Sequence, residues 1–77
     1  MGHDKMIVNG MTPLTQVFVN LFTSINILKT QIKAVPDQNL ELAANNLQDI
    51  LKVEFNKMPD TQKNKAKEVL SQKGINL

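Results

Sequence analysis

The chain has 77 residues, with nine lysines against seven acidic residues and a formal net charge of +2. This length supports one small domain, and the absence of cysteine excludes disulfides and thiolate metal sites. There is no arginine, and lysine lacks the planar guanidinium that contacts guanine or phosphate at two points. The composition therefore disfavours sequence-specific recognition of nucleic acid.

Three prolines at equal intervals divide the chain. Pro13, Pro36 and Pro59 are 23 residues apart (36 − 13 and 59 − 36), which indicates helices joined by short turns. Short turns place neighbouring helices antiparallel. The predicted fold is all-α, an up-down-up three-helix bundle with helices at about 13–33, 38–57 and 61–72 in a single domain spanning 11–77. Residues 1–10 are predicted to form a flexible arm, and their first letters, MGH, are typical of a tag remnant.

The predicted helix ends have local signals. Thr12 precedes Pro13 as an N-cap, and Asp37 and Asp60 are predicted to cap the second and third helices. At the other end of the third helix, Gly74 suits a left-handed conformation and Ile75 is expected to pack back on Leu70, as in a Schellman motif.

The first predicted helix has apolar residues at alternating spacings of four and three. In heptad terms, position a is occupied by Phe18, Ile25 and Ile32, and position d by Leu14, Leu21, Leu28 and Val35. Val19 and Ile27 fall outside this stripe and are expected on the surface. The second helix is predicted to gather its apolar residues on one side: Leu40, Ala43, Ala44, Leu47, Ile50, Leu51, Phe55 and Met58. Leu42 and Val53 project from its back.

The third helix is short and polar, and only Ala66, Val69 and Leu70 are predicted to face inward. Such a helix is expected to cover only part of the groove between two longer ones, so exposed apolar surface should remain. The predicted function is that of a non-enzymatic protein that acts through protein–protein contacts with itself or with another helical protein, either as a homodimer or as an inhibitor or adaptor that binds a partner helix. The residues predicted to contact the partner are Val19, Phe22, Ile27, Leu42 and Val53. The alternative is an ordinary monomer in which the arm and tail cover the groove.

A second alternative is a small DNA-binding regulator that uses the third helix. Residues 57–77 hold five lysines against two acidic residues, a local charge of +3, whereas residues 1–56 carry four lysines against five, or −1. In this hypothesis Gln62, Lys63, Lys65 and Lys67 would contact nucleic acid. A solvated basic face is the simpler explanation.

No pattern predicts catalysis, a cofactor or a metal site. His3 is the only histidine, the acidic residues are dispersed, and the three glycines are isolated, so no phosphate-binding loop is expected. The most apolar run, at 17–28, is interrupted by polar residues, and no export signal is evident. We therefore expect a cytoplasmic protein with neither a membrane association nor a small-molecule substrate.

Overall fold

The computed structural model describes residues 10–77, which form an all-α three-helix bundle. The helices are α1 (Pro13–Ala34), α2 (Gln38–Phe55) and α3 (Asp60–Gln72), with 22, 18 and 13 residues. Helix α1 is the central element, because it packs against both α2 and α3. The predicted fold class is confirmed, and the third helix is the shortest, as expected. The arm predicted at 1–10 lies outside the described residues except for Gly10.

Two of the three predicted N-caps are confirmed. The Thr12 hydroxyl accepts a hydrogen bond from the Thr15 amide at 3.3 Å, and Pro13 occupies the first turn of α1. The Asp37 carboxylate accepts from the amides of Asn39 and Leu40 at 3.0 and 3.1 Å. These bonds satisfy amides that have no partner within the helix, and a carboxylate there also faces the positive end of the helix dipole.

The predicted cap at Asp60 is wrong. Helix α3 begins at Asp60 itself, Pro59 is its N-cap residue, and no side chain caps this end. Asp60 instead forms an ion pair with Lys63, one turn along, at 3.2 Å.

The C-terminal end of α3 is a Schellman motif, as predicted. Gly74 has a φ of +79°, which glycine adopts without the steric cost of a side chain. The Ile75 amide donates to the Leu70 carbonyl and the Gly74 amide to that of Ser71, both at 2.9 Å. This reversal turns Ile75 back into the core, where it is buried with Leu70.

The main core lies where all three helices meet. Its buried residues are Met11, Phe18, Val19, Phe22, Phe55, Ala66, Leu70 and Ile75. At its centre the Phe55 ring lies 5.7 Å from the Phe18 ring and 5.6 Å from the Phe22 ring, measured between centroids, in tilted and edge-on arrangements that aromatic pairs favour. Outside this cluster, α1 and α2 bury Ile25, Ile32 and Ala44.

Candidate interaction surface

One side of the α1–α2 hairpin is apolar and exposed. We call it the open face and define it by nine residues: Leu14, Val17, Leu21 and Leu28 of α1, Val35 directly after α1, and Leu40, Ala43, Leu47 and Ile50 of α2. Leu28 is half-buried and the other eight are exposed. The seven exposed residues other than Ala43 are between 39% and 75% exposed, far more than the core residues of the same helices. The sequence placed Leu40, Leu47 and Ile50 on the packed side of α2, but the structure leaves them in solvent.

The open face lies on the side of the hairpin away from α3. Helix α3 and its tail meet α1 at Thr15, Val19 and Phe22. Because each helical residue advances by roughly 100°, the α1 residues of the open face are displaced from those contacts by roughly 140° around the axis. At the far end of the hairpin, Leu28, Val35 and Leu40 line one shallow depression, which joins the α1 and α2 parts of the face.

Charged side chains of the hairpin are almost all directed elsewhere. Lys29 donates to the Gln48 side chain at 2.7 Å on the α3 side, where Lys33 and Glu41 line a second depression with Lys29. None of the nine residues of the face is charged, and charges occur only at its two ends. At the hairpin end the Asp37 carboxylate, which caps α2, lines the depression with Leu28, Val35 and Leu40. The other charges lie at the opposite end. There Glu54 and Lys57 form an exposed ion pair at 2.8 Å.

The five predicted interface residues are not brought together. Val19 and Phe22 are only 1% and 2% exposed, so the expectation that Val19 lies on the surface is wrong. Val19 is buried because α3 packs against the side of α1 that the heptad pattern left unassigned. Ile27, Leu42 and Val53 are exposed as predicted, but they lie on the backs of α1 and α2, outside the open face. That any of the five contacts a partner stays a prediction.

Gln62 has a role that the sequence did not reveal. Its side-chain oxygen accepts from the Thr12 amide at 3.0 Å and from the Thr15 hydroxyl at 2.8 Å. Its amide nitrogen donates to the Gly10 carbonyl at 3.0 Å. The side chain thus joins the start of α3 to the start of α1, and Thr15, fully buried, has its hydroxyl satisfied there. These bonds argue against Gln62 as a reader of bases, because they use both ends of its amide.

The lysines of α3 do not form one focused patch. Lys63 is 21% exposed at its side chain, pairs with Asp60 and donates to the Asn56 carbonyl at 3.3 Å. Lys65 lies beside Gly10 and within 3.9 Å of Glu68. Lys67 is exposed. Nucleic-acid binding by these lysines stays a prediction.

The described residues hold no other candidate for chemistry. Within 10–77, histidine, cysteine, aspartate and glutamate side chains nowhere gather in a group of three that could bind a metal ion. His3 lies outside the described residues. None of the helices in this part of the chain combines the length and the hydropathy needed to cross a membrane.

Comparisons of the chain with protein families, with curated proteins and with solved structures found no match.

Proposed function

We propose that this chain is a non-enzymatic protein that acts through protein–protein contacts made by the open face. The observation that carries the proposal is an apolar surface on two adjacent helices with charge only at its two ends, at Asp37 and at the Glu54–Lys57 pair. Monomeric proteins seldom leave apolar patches of this extent in water, and larger ones commonly mark sites of association.

The energetics of burying the face are consistent with association. Seven of its residues, Leu14, Val17, Leu21, Val35, Leu40, Leu47 and Ile50, are each about half exposed. Completing the burial of one such side chain contributes about 1 kcal/mol, so seven contribute about 7 kcal/mol from this chain alone. The loss of translational and rotational freedom on association costs about 4–15 kcal/mol. With an equal contribution from the apolar surface of a partner, burial offsets most or all of this cost.

Site-specific photo-crosslinking tests the proposal. The photoreactive residue p-benzoylphenylalanine would replace Leu21 or Ile50 on the open face. Ile27 and Val53 on the helix backs are the controls, since they are more exposed than Leu21 and about as exposed as Ile50. Each variant would be irradiated in an extract of the source cells, and products would be resolved by mass. We expect protein crosslinks from Leu21 and Ile50 and few from Ile27 and Val53. Equal yields from the two pairs, or none from the open face, would refute the proposal.

A further inference from the structure

The open face has the residue spacing of a helix–helix contact on both of its helices. Along α1 and the residue that follows it, the apolar residues of the face lie at 14, 17, 21, 28 and 35, and the polar Ser24 and Gln31 occupy the two remaining positions of a repeat of three and four. Along α2 the apolar positions are 40, 43, 47 and 50, with the same repeat. Helices that pack along their length show this spacing. The face therefore offers two parallel seams, each suited to another helix.

From these two seams we infer that the occupant of the open face is a second copy of this chain. This inference rests on the proposed function and names its partner. In the resulting dimer the two hairpins stack face to face as a four-helix layer, a common arrangement of helices, and each α3 lies on the outside. A second copy brings two seams of the same width and length, whereas a single partner helix would cover only one groove.

The size of the face agrees with this assignment. With 22 and 18 residues, α1 and α2 are about 33 and 27 Å long. Two neighbouring helices span about 20 Å in width, so the footprint is on the order of 600 Å². Stable complexes bury about 800 Å² of accessible surface on each partner, and a corrugated helical face has more accessible surface than its footprint.

The distribution of charge also favours a second copy. In a two-fold symmetric contact the same patch meets itself, so a charged face would bring like charges together. The open face has charge only at its two ends. At one end the Asp37 carboxylate accepts hydrogen bonds from the first amides of α2, and at the other the Glu54 and Lys57 charges are opposite. The face also has no Trp, Tyr or Arg, which dominate small high-affinity epitopes, and it is aliphatic like the core of a homodimer interface.

Residues 1–9 of the same chain are a poorer occupant. The chain reaches Gly10 on the α3 side, where the Gly10 carbonyl accepts a hydrogen bond from Gln62. The only run of apolar residues in 1–9 is Met6, Ile7 and Val8, against nine residues on the open face. An apolar run of three residues spans at most about 11 Å, which is too short to cover either seam.

Light scattering coupled to size exclusion tests the assignment over concentrations from low micromolar to near millimolar. The full chain is expected at twice 8.6 kDa, about 17 kDa. Leu21→Lys and Ile50→Lys are expected at the mass of one chain with unchanged helical circular dichroism. Their dissociation constants should rise at least about 100-fold, because two unpaired ammonium groups would be buried in each dimer. The matched controls Ile27→Lys and Val53→Lys should remain dimeric.

A full chain that stays monomeric throughout would overturn the inference. A mass that falls equally for the control variants would also overturn it. If the chain is monomeric but Leu21 and Ile50 crosslink to a different protein, this inference fails and the proposed function stands. If the open-face positions form no crosslink at all, both this inference and the proposed function are refuted.

Discussion

Replacing Gln62 by alanine separates a structural role from a role in reading bases. The substitution removes three hydrogen bonds that join α3 to the start of α1. The bonds to the Thr12 amide and the Gly10 carbonyl are exposed, so water can replace them. The bond from the buried Thr15 hydroxyl cannot be replaced in this way, although that hydroxyl retains the Thr12 hydroxyl at 2.9 Å.

The expected cost follows from this difference. One partly buried hydrogen bond contributes about 0.5–1.5 kcal/mol, and the two exposed bonds add less. The free energy of unfolding should therefore fall by about 1–2 kcal/mol in total. In a domain of this size each kcal/mol lowers Tm by about 4–8 °C, which gives a decrease of about 5–15 °C. Thermal unfolding followed by circular dichroism, with all variants at one concentration, measures it.

Gln72→Ala is the matched control, since Gln72 is an exposed glutamine of the same helix. It should change the free energy of unfolding by less than about 0.5 kcal/mol. If Gln62→Ala is as stable as Gln72→Ala, the bonding network contributes nothing and the reasoning is refuted. If Gln62→Ala instead abolishes binding to duplex DNA at unchanged stability, the result supports the nucleic-acid hypothesis and refutes the structural role of Gln62.

Three further predictions concern the ends of α2 and α3 and the assembly. Asp37→Ala should lower the free energy of unfolding, measured in urea, by about 1 kcal/mol because two capping bonds are lost. Asp60→Ala should lower it less, because Asp60 does not cap α3, and equal losses would contradict the cap assignment. Gly74→Ala should lower it by about 1 kcal/mol through backbone strain alone, since no atom lies within 4 Å of the added methyl group; a neutral result would contradict this. Finally, Tm of the native chain should rise with protein concentration and that of Leu21→Lys should not, a difference that calorimetry would detect; equal slopes would argue against the dimer.

The features that the sequence predicted are local ones. Thr12, Asp37 and Gly74 act within four residues of their own positions, so their identities suffice to place one end of each helix. The cap at Asp60 was wrong because α3 begins one residue earlier than expected, so that Asp60 is the first helical residue and Pro59 is the N-cap residue.

The features that the sequence missed depend on the position of α3. Apolar spacing on α1 identified a stripe but not which flank α3 would cover, and the structure buries Val19 while leaving Leu14 and Leu21 exposed. The bond between Thr15 and Gln62 joins residues 47 positions apart, and no local pattern predicts it. The open face was therefore foreseen as leftover apolar surface, but its residues could be assigned only from the packing of α3.

The uneven burial along α2 has a consequence for local opening. Its last residues insert Phe55 into the central cluster, whereas its first half buries only Ala44. Opening free energies differ within a fold according to such contacts. In an isolated chain the first turns of α2 would therefore separate from α1 and exchange their amide hydrogens while α3 remained docked. A bound second copy would slow that exchange. The exchange rate of the first α2 amides therefore measures occupancy of the open face without any unfolding of the core.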